Sequence, residues 1–339
     1  MGQALGQTTG LTRAHPRRMT CPVFCFEWSG KTMDPAWFSS PTWCNALTLG
    51  ERVATLSGER AATLPGRGGS TSHSDEDVEL GRQRLERWRS QPPFDTDRYF
   101  AQRLSLDGID EESFLHLLGE PVESLHGRLS RPPAWLLDLA EAFAYPASEF
   151  ADPPPGEEMF GFLDLIQPLI DLGCDQLSAG VDALNDKWPT LPFDPETVID
   201  VLLMNLPDPL LTRLGRTMVL ELNVARLQGF LDGDTPEARF HSFIQRLRQP
   251  EQAIAVLAEY PVLTRQLITC VAQWANVSLE FLERLCADWD AIRGDFSPAD
   301  DPGVLVDLIG GAGDTHRLSL IHISEPTRQV LVSRMPSSA

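Results

Sequence analysis

Apolar residues recur every three or four positions along most of the chain, which is the spacing of amphipathic helices. One long stretch of this kind runs from Phe160 to Trp188, and Pro168 is expected to kink or split it because proline lacks the backbone donor that a helix interior needs. Helix starts are indicated where capping residues or prolines precede an apolar stripe, at Ser74 with Asp77, Asp95, Asp110, Pro132-Pro133, Thr235-Pro236 and Ser278.

Strand signals are sparse until residues 304–309, a short apolar run that predicts a strand. It leads into Gly310-Gly311-Ala312-Gly313-Asp314-Thr315-His316, a glycine-rich turn with an acid and a histidine two residues apart. Glycines there would let backbone N–H groups approach a phosphate. Taken alone, an Asp-x-His in a glycine turn is more often a turn-forming aspartate beside an incidental histidine.

The pattern divides the chain into five parts. Residues 1–36 show no clear period and are interpreted as an extension, with Met19 or Met33 as alternative starts; residues 37–75 hold an amphipathic segment and a Gly/Ser linker. Residues 76–303 form the helical region, and residues 304–317 the strand and the Asp-x-His loop. The tail, 318–339, resembles the translation of a transposase adapter used in sequencing libraries, so it is interpreted as non-native and set aside.

Composition narrows the range of partners. The formal net charge is −20, so the surface repels phosphate backbones and nucleic acid is not an expected partner. Apolar stretches are too short to span a membrane and no secretory signal is evident, so a cytoplasmic location is expected. The chain has two lysines, Lys31 and Lys187, and neither is near the glycine-rich turn in sequence.

The cysteines and histidines give no metal-binding pattern. Cys21 and Cys25 have no second pair at zinc-finger spacing, and Cys174, Cys270 and Cys286 fall within helical apolar patterns that predict buried thiols. Three histidines lack partners at ligand spacing and are interpreted as surface or cap residues: His116, His126 and His241.

Four blocks of sequence resemble the N-terminal dehydratase region of class II lanthipeptide synthetases, the LanM enzymes. They are Trp43 to Arg52, Arg216 to Gly229, Leu231 to Phe240 and Glu259 to Arg265. Gly313-Asp314-Thr315-His316 resembles the start of that family's Gly-Asp-x-His motif, and the resemblance extends from about Trp37 to Arg317. Polar residues in these blocks are expected to form arginine–carboxylate pairs between helices, with peptide binding as the less favoured alternative; they are Arg216, Glu221, Arg226, Arg239 and Arg265.

The resemblance implies a mainly α fold, with a helical cap leading into the first strand of a kinase-like α+β core. It implies an enzyme that uses ATP and magnesium to phosphorylate Ser and Thr of a ribosomal precursor peptide and then eliminates the phosphate. Asp314 and His316 would belong to the dehydration site, and Gly310, Gly311 and Gly313 would approach the cofactor phosphates. Zinc would belong only to a C-terminal cyclase domain.

The remaining catalytic residues of the family are expected beyond Arg317, so this chain alone is predicted to lack dehydratase activity. Two alternatives remain at this stage. One is a free-standing, non-catalytic helical module that binds a peptide or partner. The other, a helical-repeat scaffold, is disfavoured because no fixed period of suitable length is present.

Overall fold

The computed structural model describes residues 37–55, 74–148, 150, 156–296 and 303–308. The fold is mainly α, as predicted, and every described element belongs to one contact unit, Asp34–Ala339. Two 3-10 helices, Pro41–Ala46 and Glu158–Ile166, accompany the α-helices of the described residues. These are α1 Leu49–Ala54, α2 Asp75–Arg89, α3 Asp97–Asp107, α4 Glu111–Gly119, α5 Val122–Arg128, α6 Ala134–Ala142, α7 Gln167–Lys187, α8 Val198–Leu203, α9 Pro207–Leu227, α10 Pro236–Leu247, α11 Pro250–Glu259 and α12 Pro261–Phe296.

Local capping chemistry sets most of the helix starts. Ser74 and Asp77 form the predicted capping box of α2, in which each side chain accepts from the other's backbone N–H. Asp110 accepts from the amide of Ser113 at the start of α4, and Thr235 caps α10 ahead of Pro236. Pro168 splits the long apolar stretch as expected, because a 3-10 helix ends at Ile166 and α7 begins beside the proline.

Two predicted helix starts are wrong. Ser278 does not begin a helix; it lies buried in the middle of α12, which runs for 36 residues without a break. No proline or glycine lies between Pro261 and Ser278 to end the helix before this serine, so the helix continues through it. The start predicted at Asp95 is displaced by one residue, because the N-cap of α3 is Thr96, whose side chain makes no capping bond.

Helix α12 is the centre of the packing, since it contacts α6, α7, α9 and α11. It approaches α7 most closely at two glycines: a Cβ at Gly173 would lie 2.5 Å from Val271, and one at Gly180 would lie 2.6 Å from Leu279. Glycine therefore permits a helix–helix distance that a side chain would prevent.

The segment 37–55 packs onto this helical body. Its 3-10 helix contacts α5, α11 and α12, and Trp43 is buried with its ring edge-on to Trp37 and to Trp135 of α6. The indole N–H of Trp43 donates to the carbonyl of Trp37 at 2.8 Å. Trp43 and Trp135 therefore belong to the core, which is the usual role of aromatics at helical spacing, while Trp37 is half-buried beside them.

After α12, residues 303–308 are extended, with a single parallel β-bridge between Leu305 and Phe193. The described part of the chain contains no β-strand longer than this bridge. The strand predicted over 304–309 is therefore represented there by the bridge alone. Among the same residues, no single helix is long and apolar enough to cross a membrane; α11 and α12 pass that test only as a pair bent by 111°.

Candidate functional site

The residues predicted to do chemistry lie just past the described chain. Asp314, His316, Gly310, Gly311 and Gly313 all fall outside the described residues, so their predicted roles stay predictions. The structure does describe the segment that leads to them, which ends at Leu308, two positions before the first glycine of the loop. The contacts of residues 303–308 therefore determine the position from which the chain continues to the candidate site.

Backbone and side-chain hydrogen bonds hold this segment at two points. The amide of Leu305 donates to the carbonyl of Pro192 at 2.7 Å, beside the bridge to Phe193. Near the end of the segment, Asn205 Nδ2 donates to the carbonyl of Leu308 at 3.0 Å. The chain thus enters the glycine-rich loop from a position set by the turns before and after α8.

Under these hydrogen bonds lies an apolar cluster, which we call the anchor cluster. Leu305 and Leu308 pack against it from the extended segment, whereas Val304 and Val306 point outward and are exposed. Residues 304–306 thus alternate as in a strand with one buried face, whereas Leu308, three positions after Leu305, departs from that period. The buried members of the anchor cluster come from α7, α8, α12 and the loop before α8: Leu177, Val181, Leu184, Phe193, Val198, Leu202, Leu282 and Cys286.

A polar contact joins α12 to α8 beside the anchor cluster. Trp274 Nε1 donates to the carbonyl of Leu202 at 3.1 Å, near the end of α8. Asn205, which lies just after α8 in the chain, donates to the carbonyl of Leu308. Side-chain hydrogen bonds therefore connect α12 to α8, and the residue after α8 to the extended segment. The sequence offered no sign of the roles of Asn205 and Trp274, because their partners are distant along the chain.

The other end of α12 carries an ion pair, which we call the Arg265 site. Arg265 forms two contacts with the carboxylate of Glu51, one through Nη1 and one through Nη2 at 3.1 Å, and Nη1 also donates to the carbonyl of Ala46 at 2.7 Å. Its guanidinium lies 5.7 Å from the ring centroid of Trp135, within cation–π range. One side chain therefore joins α12 to the 37–55 segment and to α6.

Glu51 also has a local role, since its carboxylate accepts from the amide and hydroxyl of Thr48 and so completes the capping box of α1. Burial would raise the pKa of Glu51, but the hydrogen bonds from Arg265 and Thr48 outweigh burial and hold that pKa below its ordinary value. The carboxylate is thus ionised and bound on both sides under neutral conditions.

A second contact joins two of the blocks that carry the family resemblance. The hydroxyl of Tyr260, just before α12, donates to the carboxylate of Glu221 on α9. This hydrogen bond, with burial and the nearby carboxylates, raises the pKa of Tyr260 to about 12, so the phenol stays protonated. Three of the four blocks therefore meet around the start of α12.

The prediction of arginine–carboxylate ties is confirmed for Arg265 and wrong for three others. Arg216 and Arg226 are exposed on α9, and no carboxylate among the described residues pairs with them. Arg239 donates to the backbone carbonyls of Gly233 and Asp234, which is a local contact. Another tie of the predicted kind was missed, since Arg248 donates to the buried Asp164 at 2.8 Å.

Burial disfavours the thiolate form of the cysteines that the structure describes. Cys270 and Cys286 are buried as predicted, while Cys174 is half-buried. Burial raises the pKa of all three thiols, that of Cys174 to about 12. Within the described ranges, no group of three or more His, Cys, Asp and Glu side chains has the geometry to hold a metal ion.

A cavity with a volume of about 510 Å³ lies between α1, α2, α4 and α5. Two arginines on its wall bond to carbonyls at the end of α4: Arg52 to that of Leu117 at 3.3 Å, and Arg84 to that of Leu118. They satisfy carbonyls that have no partner within the helix. These arginines are therefore occupied in capping a helix, although the cavity is spacious.

Comparison with protein families adds one finding. Residues 260–321 match a family described as a domain of unknown function, DUF4135, which is found in lanthipeptide synthetase-like proteins. The match contains Tyr260, all of α12, the extended segment and the glycine-rich loop. Comparison with curated proteins finds no match.

Proposed function

We propose that residues 37–317 form the helical region and the first core segment of a lanthipeptide-type dehydratase. The observation that carries the proposal is the family match over 260–321, which joins α12 to the Gly-Asp-x-His motif in one unit. The anchor cluster supports it, since a firmly held segment is what a phosphate-binding loop needs at its start. The protein would act on a ribosomal precursor peptide in the cytoplasm.

The proposed chemistry has two steps. A Ser or Thr hydroxyl oxygen attacks the γ-phosphorus of ATP, its proton passes to a base, and ADP leaves. A base then removes the α-proton of the phosphorylated residue, and the C–O bond breaks to release phosphate and leave a double bond. Phosphorylation matters because a phosphate leaves readily whereas a hydroxyl does not.

The described residues offer no magnesium site, so no step is assigned to them. The proposal places Asp314 and His316 in the dehydration site and gives Gly310, Gly311 and Gly313 the approach to the phosphates. ATP and magnesium supply the phosphoryl group and neutralise its charge. What the helical body contributes is position: α12, α8 and the anchor cluster fix where the loop begins.

Reading the genomic locus past codon 317 is the first test. The proposal expects an in-frame continuation with a kinase-like lysine, and later a cyclase with cysteine and histidine zinc ligands. A nearby gene for a short Ser/Thr/Cys-rich peptide would supply the substrate. A continuation with neither feature would remove the support for a synthetase.

The second test uses that continued protein with the peptide, ATP and magnesium, and measures the peptide's mass. The expected product has lost one water for each dehydrated residue. Asp314→Asn and His316→Asn should abolish that loss, whereas Asp290→Asn and His241→Asn, at exposed positions on α12 and α10, should not. Equal activity in all four variants would contradict the roles of Asp314 and His316.

This chain alone is predicted to be inactive in the same assay, since the remaining catalytic residues are expected beyond Arg317. Activity of the isolated chain would overturn that prediction. A non-catalytic interaction module remains the second candidate, and one observation favours it: α9 presents an exposed face that combines arginines with apolar side chains.

A further inference from the structure

Helix α9 has one exposed face with an unusual composition. At about 100° per residue, seven exposed side chains fall within roughly 140° of the helix circumference. Three are cationic, one is an amide and three are apolar, with Leu227 79% exposed, Leu220 55% and Val219 43%. The set is Arg213, Arg216, Val219, Leu220, Asn223, Arg226 and Leu227.

No acid among the described residues pairs with these arginines. Between Arg213 and Leu227 the helix has one carboxylate, Glu221, which is half-buried and accepts from Tyr260. Arg213 donates to a backbone carbonyl, that of Pro209, at 2.6 Å, and none of the three arginines forms an ion pair with a described residue. The face thus carries three positive charges on a protein whose net charge is −20.

We propose that this face of α9 binds an acidic peptide segment that also carries apolar side chains. Carboxylates of the segment would pair with Arg213, Arg216 and Arg226, while its apolar side chains would cover Leu220 and Leu227. The face is about 21 Å long at 1.5 Å per residue, which suits a helical segment of about 14 residues.

The charge distribution of the protein favours an acidic peptide over other possible ligands of this face. A short peptide lies within a Debye length, about 8–10 Å, of the arginines and so experiences the local positive face. A nucleic acid or an anionic membrane extends over the whole molecule and meets the net negative charge. A second copy of this chain is repelled for the same reason. The inference is independent of the dehydratase proposal, because it needs neither ATP nor the residues after Leu308.

The test is fluorescence anisotropy with the full chain and a labelled synthetic peptide of about 16 residues. Leucines in the probe share one helical face bordered by glutamates, and a control peptide carries lysine in place of glutamate. The glutamate peptide is expected to bind and to bind more weakly as salt rises. The lysine peptide is expected not to bind.

Variants locate the site. Replacing Arg213, Arg216 and Arg226 together by glutamine should weaken binding about tenfold. A matched triple removes the same charge from exposed positions elsewhere, Arg82→Gln, Arg87→Gln and Arg98→Gln, and should change binding less than about twofold. The double variant Leu220→Ser, Leu227→Ser should also weaken binding; because both side chains are exposed, its circular dichroism should match the wild type.

Several results would overturn the inference. These are no binding of the glutamate peptide, equal losses in the two arginine triples, or equal binding of the two peptides. Analytical sedimentation tests whether this face instead joins two copies of the chain. A dimer that dissociates when Arg213, Arg216 and Arg226 are replaced by glutamine would make this face a contact between copies. These experiments do not measure dehydration. A negative binding result therefore leaves the dehydratase proposal unaffected, and a failure of the dehydratase proposal leaves the peptide-binding inference unaffected.

Discussion

The two ends of α12 are held by different kinds of contact. Near its start, Arg265 joins the 37–55 segment through an ion pair with Glu51 and joins α6 through a cation–π contact with Trp135, and both charged side chains of the ion pair keep part of their surface in water. In its second half, Leu282 and Cys286 enter the anchor cluster, where Leu282 is fully buried. We call these two sets of contacts the first and the second joint of α12. The first joint depends on charge and geometry, and the second depends on removing apolar surface from water. Salt and acid should therefore weaken the first joint and leave the second largely intact.

Truncation in the anchor cluster should have the largest effect on stability. Leu282→Ala leaves a cavity at a fully buried position, so the free energy of unfolding should fall by about 3 kcal/mol. Urea denaturation followed by circular dichroism measures this change. Val277→Ala on the same helix, where the side chain is 63% exposed, is the control and should be nearly neutral. Equal effects of the two substitutions would show that the cluster is not a packed core.

Loss of the Arg265 ion pair should come next. Arg265→Leu removes the partners of Glu51 and of the Ala46 carbonyl, and should destabilise the protein by about 2 kcal/mol. Arg284→Leu, which breaks an exposed pair with Glu280 one turn away, should cost no more than about 0.5 kcal/mol. A cost for Arg265→Leu as small as that of the control would mean that the pair does not hold the 37–55 segment.

Acid should distinguish the joints further. The folded pKa of Glu51 is below its unfolded value, so this carboxylate contributes stability that is complete above the unfolded pKa, about 4.3, and is lost as pH falls through the folded pKa. Unfolding free energies of the wild type and Glu51→Gln should therefore differ above the unfolded pKa and converge as pH falls through the lower, folded pKa. A constant difference between them at all pH values would show that ionisation of Glu51 does not stabilise the fold.

The smallest effect is expected at Asn205. Asn205→Ala removes the hydrogen bond to the Leu308 carbonyl, which should cost about 1 kcal/mol and loosen the end of the extended segment without unfolding the helices. Thermal denaturation measures the first effect, and proteolysis between α12 and the glycine-rich loop measures the second. Asn276→Ala, at an exposed position of α12, should leave both unchanged. Unaltered cleavage in Asn205→Ala would contradict an anchoring role.

What could be predicted from sequence was mostly local. The capping box at Ser74 and the split at Pro168 depend on residues within one helical turn, so the pattern contains them. The Arg265–Glu51 pair spans 214 positions and the Asn205–Leu308 bond 103, and no spacing rule reaches that far. Ser278 illustrates the opposite failure, in which a good local start signal was overridden because both sides of it pack in one long helix.

The candidate site itself could be predicted only through the family resemblance. Residues such as Asp314 and His316 were identified by their motif, and they lie outside the described residues. The structure adds the anchor cluster, which holds the segment that leads to the motif. A sequence motif cannot reveal this cluster, because its side chains come from α7, α8 and α12, which are distant along the chain.

Hydrogen exchange at one amide tests the central claim, that the anchor cluster fixes the start of the glycine-rich loop. The Leu305 amide donates to the Pro192 carbonyl, so it should be protected in the wild type. Protection should persist in Glu51→Gln, which changes the Arg265 site and the cap of α1, and should be lost in Phe193→Ala, which removes a buried ring from the anchor cluster beneath this hydrogen bond. Exchange of the Leu305 amide at the unprotected rate in the wild type, or equal protection in all three proteins, would contradict the account.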